Sequence, residues 1–328
     1  MKKRVIMVLA TLSLTAGLCF YGIIIQDNQV LASYQADVPQ STKPAPAENV
    51  WSIGMYTGSS PFHLSAPVSI SNPVITAQDV TDIDADVVAH PFLAVSDSRY
   101  HMFFTAKHSK TKVGGIGLAE SPNGLNWKYR QIVLDEPFHL AYPFVFQWQD
   151  EYYMIPESYE TSSIRLYKAT DFPTKWQYEK DLIQGHKFVS ASVVHYQNMW
   201  WMFVSHPGND TLRLYYAKDL MDGWTQHPHS PLVQKDKNIA RPGGRPIIID
   251  DTLYRIAQDD YPKYGNQTLA FEITDISATS YQEKMVIEPL VKASGNGWNA
   301  DGMHHVDLHA VSEKHWLAAT DGFQKIFR

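Results

Sequence analysis

AHPFLAVSDSRYHMFF, residues 89–104, decides the fold, because the chain writes this pattern several times over. It reads as two short apolar strands joined by a polar turn at Asp97-Ser98. AYPFVFQWQDEYYMIP (141–156) aligns to it without a gap, setting Pro143 on Pro91, Tyr152 on Tyr100 and Met154 on Met102. SASVVHYQNMWWMFVS (190–205) is a third copy, with Ser190 in the place of His90, Ala191 in that of Pro91, Trp200 in that of Tyr100 and Met202 in that of Met102. GRPIIIDDTLYRIAQ (244–258) is a fourth, with a turn one residue shorter, and HHVDLHAVSEKHWLAAT (304–320) is a weaker fifth. A period of roughly fifty residues is the mark of a repeat architecture.

Each of the first four copies is followed by a second apolar alternation with its own polar turn: GGIGLAESPNGLNW (114–127), SSIRLYKATDFPTKW (162–176), TLRLYYAKDLMDGW (211–224) and TLAFEITDISATSY (268–281). Four antiparallel strands per unit in meander order follow. The fifth copy lacks this half, and WSIGMYTGSSPFHL (51–64) has its pattern. The expectation is an all-β, five-bladed β-propeller over 50–328, in which N-terminal strands complete the last blade and so close the ring without an open edge. The 9 Trp, 18 Tyr and 14 Phe, in short apolar runs with little helical periodicity, agree with an all-β domain.

Ahead of the propeller, Lys2-Lys3-Arg4 precede an uncharged apolar run over residues 5–25, long enough for a helix of about 30 Å. Residues 1–32 therefore read as a signal peptide, with Val30-Leu31-Ala32 as its small-residue site, or as a retained membrane anchor. Either reading makes the main domain extracytoplasmic, periplasmic or secreted. Residues 33–49, rich in Pro and Ala, read as a linker. Cys19 is the only cysteine, which excludes an internal disulfide and a thiolate metal cage. Beyond residue 32 the chain carries 25 Lys+Arg against 33 Asp+Glu, a net charge of −8, so nucleic acid is excluded as a natural partner.

In a propeller the first strand of each blade lines the axis, so the repeat heads His90, Tyr142, Ser190, Arg245 and His304 or His305 converge at one mouth. Their variety in size and charge suits a ligand surface better than a packing position. The ends of the second strands bring Glu157 and Asp259 to the same region, and these are the carboxylates assigned to acid and base work. Salt bridges to Arg241, Arg245 or Arg165 are the competing use of both. RPGGRP (241–246) sets Arg241 and Arg245 beside a Gly-Gly turn, suited to forked hydrogen bonds with a carboxylate, a phosphate or sugar hydroxyls. In GMHHVDLH (302–309), His305, Asp307 and His309 share a strand face, but the two histidines stand about 13 Å apart, too far to share an ion. No metal set or cofactor is therefore expected, apart from an ion in the channel held near His305 by one histidine with groups of other blades.

VWSIGMYTGSSPFHL, AHPFLAV, EPFHLAYPFVFQWQDEYYMIPES, IRLYKATDFPTKW, ARPGGRP and YRIAQDDYPKYG, in that order, resemble the five-bladed propeller domain at the N-terminus of plant glucosamine inositolphosphorylceramide transferases and of many bacterial proteins. That domain is similar to glycoside hydrolase families 43, 62, 32 and 68. In those hydrolases the resemblance implies an aspartate heading the first blade, a second aspartate heading the third and a glutamate in the fourth. This chain has His90, Ser190 and Arg245 at those heads. The functional expectation is a glycoside-hydrolase-like propeller that acts on or recognises an envelope or extracellular glycan, polysaccharide or glycolipid. The alternative is a non-catalytic docking platform in polysaccharide or glycolipid assembly.

Overall fold

A computed structural model describes residues 48–286 and 289–327. The apolar segment and residues 33–47 of the linker lie outside the described residues, while Glu48 and Asn49, read as the end of the linker, already pair with Ile326 and Lys325 in the closing strand. Among the described residues no helix is long and apolar enough to cross a membrane.

The strands form five separate antiparallel sheets. The first blade runs outward from the axis as Ala85–Ser96, Arg99–His108, Gly114–Ser121 and Lys128–Leu134. The second repeats this with Ala141–Trp148, Glu151–Glu157, Ser163–Asp171 and Lys175–Gln184. The third follows with Val189–Tyr196, Met199–Ser205 and Thr211–Ala217, edged by the short Thr225–Gln226 and Val233–Gln234. In the fourth, the innermost strand is broken into Arg241–Pro242 and Ile247–Ile249, beside Thr252–Asp259, Gln267–Ile276 and Tyr281–Met285. The fifth joins both ends of the propeller: Val306–Ser312, His315–Ile326, then the N-terminal Glu48–Ser60 and His63–Ser65. Glu48–Ser60 pairs with His315–Ile326 over eleven consecutive positions, from Glu48 on Ile326 to Gly58 on Trp316, which is the closure expected from WSIGMYTG.

Local chemistry explains why the hairpins recur. Asp97-Ser98, Gln149-Asp150, Gln197-Asn198 and Asp250-Asp251 each place two consecutive residues at positive φ, the mirror-image turn whose twist matches a two-residue hairpin. Asp and Asn tolerate that region better than other side chains, so the polar pairs of the sequence are turn-forming residues. The repeated methionines are core: Met102, Met154 and Met202 are all fully buried. Phe92, Phe103, Phe144, Ile155, Leu166 and Val204 pack with Met154 and Met202 in one cluster between neighbouring blades. Each such side chain contributes about 1.5–3 kcal/mol on leaving water.

The fourth blade departs from the sequence alignment. Its turn, expected to be one residue shorter, is two residues long like the others, at Asp250-Asp251; what differs lies in the strand. Pro242 pairs with Ala257 and Ile247 with Tyr254, so Gly243-Gly244-Arg245-Pro246 bows out of the ladder. A Cβ on Gly244 would stand 1.9 Å from the Val306 carbonyl oxygen, so this bow is possible only with glycine against the fifth blade. The consequence is a shift of register: Arg241 stands opposite Gln258, in the row held by Ala89, Ala141 and Val189, and Arg245 drops below the head position.

Candidate functional site

The head residues share an unusual backbone. His90, Tyr142 and Ser190 have φ of 53°, 48° and 54°. Each sits at a bulge, where the ladder skips between Ala89 and Phe92, Ala141 and Phe144, and Val189 and Ser192. Left-handed backbone at a non-glycine residue costs on the order of 1–3 kcal/mol and persists only where surroundings hold it. Here the holder is a side chain of the preceding blade. His90 N donates to Asp321 Oδ2 at 2.8 Å, Tyr142 N to Thr105 Oγ1 at 3.1 Å and Ser190 N to Glu157 Oε2 at 3.1 Å. Thr105 and Glu157 face Ala89 and Ala141 across their hairpins, and Asp321 follows His315 by the same six residues that separate Thr105 from Arg99. Three inter-blade clasps thus use one structural position.

Around these clasps the axial end is lined with buried polar side chains. His90, Tyr142, Ser190, Glu157, Arg241, His304 and His305, all expected at the mouth, do gather there and are all buried. Arg241 donates to Ser190 Oγ at 3.0 Å, to Glu157 Oε2 at 3.2 Å and to Asn209 Oδ1 at 3.2 Å. Asn209 continues the network to Asp260 Oδ2 at 2.8 Å, whose Oδ1 accepts Gly265 N. Tyr142 and Ser192 meet at 2.8 Å between their hydroxyls, both within reach of the Gly244 carbonyl at 3.2 Å. Burial pushes the Tyr142 phenol pKa up, so it is a neutral donor.

Asp321 is fully buried and accepts four hydrogen bonds, from His90 N, His304 N, His305 N and His304 Nδ1, the last at 2.7 Å. Burial opposes its charge, but His304, His305 and the His90 N–H together bring its pKa below the ordinary value. His304 lies between Trp51, at 4.3 Å between ring centroids, and His90, at 4.7 Å and nearly parallel. Burial, reinforced by the neighbouring histidines and Arg241, pushes His90 well below the usual imidazole range. His305 Nε2 donates to the Pro91 carbonyl oxygen, 2.9 Å away, and burial lowers its pKa to about 4. Both rings are neutral near pH 7.

Arg245 and Asp259 are set apart from this cluster. Arg245 lies deeper in the channel, paired through Nε with Asp307 Oδ1 at 2.8 Å, and Asp307 also takes the Leu93 N–H. Asp259 organises the loop after its own strand, accepting from Tyr261 N, Asn266 Nδ2 and Gln267 Nε2. Glu157 and Asp259 share no partner. His309 is partly buried and meets Tyr100 edge-on, with ring centroids 6.1 Å apart. The sequence reading places Asp321 with Glu157 at the second-strand ends; Thr105 was not assigned, although counting six residues from the hairpin would have paired it with both. Tyr264, Trp51 and Asn209 carry no such sequence signal, because loops of other blades bring them in.

Residues 45–323 match the model of the family described as glucosamine inositolphosphorylceramide transferase 1, N-terminal. The chain belongs to this family. Glucosamine inositolphosphorylceramide transferase 1 of Oryza sativa subsp. japonica is 35% identical over 300 residues, which cover 84% of this chain and 40% of the relative. The chain therefore spans about two fifths of the length of the curated relatives it matches. Among solved structures it is similar to a glycosyl hydrolase from Bacteroides ovatus, with a TM-score of 0.60 at 11% identity over 77% of this chain and 92% of that one. The catalytic domain of a Coprinopsis cinerea GH62 α-L-arabinofuranosidase is similar at a TM-score of 0.55 and 14% identity, over 83% of this chain and 96% of that one. At such identities the likeness establishes the five-bladed architecture that the family shares with glycoside hydrolases, and activity has to be argued from the site.

Proposed function

We propose that the propeller is a recognition module for the sugar-phosphate headgroup of a glycolipid, bound at the axial mouth, with its carboxylates serving structure rather than hydrolysis. The observation that carries this reading is the commitment of each candidate carboxylate. Glu157 serves Ser190 and Arg241, Asp321 serves three backbone N–H groups and His304, and Asp259 serves its own loop. Glycosidic cleavage needs two carboxyl groups facing one another across a sugar, about 5–10 Å apart and available to it. The loops beside the cluster supply what binding needs. Tyr261 and Tyr264 are exposed, Tyr264 lies 5.8 Å from the Arg241 guanidinium, and Lys187 and Lys237 stand exposed on neighbouring loops. Aromatic faces stack on sugar rings, and arginine and lysine suit a phosphodiester. The name of the related transferases supports the same ligand class.

In this reading the module works outside the cytoplasm, delivered by residues 1–32 as signal peptide or anchor. The test is flotation of the purified chain with vesicles containing inositolphosphorylceramide, beside reducing-sugar assays on envelope and plant polysaccharides. Binding without sugar release supports the proposal. Sugar release that survives purification and is lost in Glu157→Gln would overturn it in favour of a hydrolase.

A further inference from the structure

We propose that His90, His304 and Asp321 form a binding site for a first-row divalent cation of the zinc class. One ring nitrogen from each histidine and one Asp321 oxygen lie within 4.8 Å of one another, and all three side chains are buried. The set joins residues 231 positions apart through closure of the ring, and it differs from His305, Asp307 and His309, which the spacing had ruled out.

His90 and, beside it, His305 each bury a ring nitrogen without a hydrogen-bond partner. His90 Nδ1 is 3.2 Å from Thr105 Oγ1, while its Nε2 is buried with no hydrogen-bond partner. A buried polar atom without a partner is uncommon in a native structure and calls for a ligand. In the tautomer that carries its proton on Nδ1, His90 donates to Thr105 Oγ1, which is how a metal-binding imidazole is normally oriented: the outer nitrogen is held by a protein group and the inner lone pair is left free. The His90 and His304 rings are near-parallel with centroids 4.7 Å apart, so one ring turns on binding to aim both in-plane lone pairs at a common ion. Zinc holds its nitrogen and oxygen ligands at about 2.0–2.2 Å, so ligand atoms of one tetrahedral ion stand about 3.3 Å apart and this set, within 4.8 Å, closes by up to about 1.5 Å on binding.

The donors choose among cations. Two imidazoles and one carboxylate suit zinc and its first-row neighbours, with a position left for water or ligand, whereas calcium and magnesium take shells of oxygen. Trp51 and Tyr264, at 4.3 and 5.0 Å from the His304 ring centroid, wall the cluster with aromatic surface. The competing occupant is a buried water, which needs two to four polar partners.

The experiment uses the full chain, without a histidine tag, expressed with zinc and purified without chelator. Metal is counted by mass spectrometry, the protein is stripped with 1,10-phenanthroline, and it is then titrated with Zn2+ and with Co2+ under absorption spectroscopy. One ion per chain, a higher melting temperature with Zn2+ and a Co2+ spectrum of low coordination number support the site. His90→Gln and His304→Gln should each lose the bound ion, while His227→Gln, far from the axis, keeps it. If a variant fails to fold, X-ray absorption of the zinc-loaded wild type decides by counting imidazole ligands, two being required. A folded wild type that binds no stoichiometric metal, or a His90→Gln/His304→Gln double variant that still binds it, overturns the proposal. Neither result depends on whether a glycolipid binds.

Discussion

Replacing Glu157 by glutamine separates a structural carboxylate from a catalytic one. The amide oxygen can still accept the Ser190 N–H, so the bulge keeps its clasp, but Arg241 loses its carboxylate while 7% exposed. Removing one partner of a buried ion pair costs about 3–5 kcal/mol. Ser190 Oγ and Asn209 Oδ1 remain as acceptors for Arg241, which reduces the expected loss to about 2–4 kcal/mol. At about 2–4 °C per kcal/mol for a domain of this size, the melting temperature should fall by roughly 5–15 °C. Arg241→Met should be destabilising too, and Glu157→Gln/Arg241→Met should recover part of the sum, with a coupling of about 1–3 kcal/mol. Thermal and urea unfolding followed by circular dichroism measure all four corners of the cycle. An unchanged or higher melting temperature for Glu157→Gln would refute the reasoning, because catalytic carboxylates are often held at a cost to stability that their removal relieves.

Asp321→Asn should be still more damaging, since an amide group turns a donor toward a ring of buried donors; a loss of about 3 kcal/mol or more is expected by urea unfolding. Gly244→Ala should lose about 1–3 kcal/mol, because its Cβ meets the Val306 carbonyl, and a variant as stable as the wild type would show that the fourth blade can straighten its bow. His227 bridges the Ser277 carbonyl through Nε2 and the His229 N–H through Nδ1, and burial lowers its pKa from 6.5. The folded state thus favours the neutral ring: this stabilisation is complete above pH 6.5 and is lost as the pH falls toward the lowered folded-state pKa, where the unfolded chain binds the extra proton. Melting curves from pH 7.5 to pH 5 should show this decline, and His227→Gln should make it shallower, the lowered His90 and His305 supplying the remainder.

Five repeats, four strands each, the two-residue turns and the closure by Trp51–Gly58 could all be read from the sequence, because they follow from period-2 alternation and turn chemistry over short distances. The gathering of His90, Tyr142, Ser190, His304 and His305 was legible for the same reason, since repeat heads must meet at the axis. Two features were not. The register of the fourth blade depends on how closely Gly244 can approach the fifth, which moved Arg245 down the channel and put Arg241 beside Glu157. The partners of the heads come from the blade before, so the link between Asp321 and His90 spans 231 residues. Local pattern sets which way a side chain faces. Only closure of the ring decides what it faces, and here that set Glu157 on Ser190 and Arg241, and Asp321 on His90 and His304.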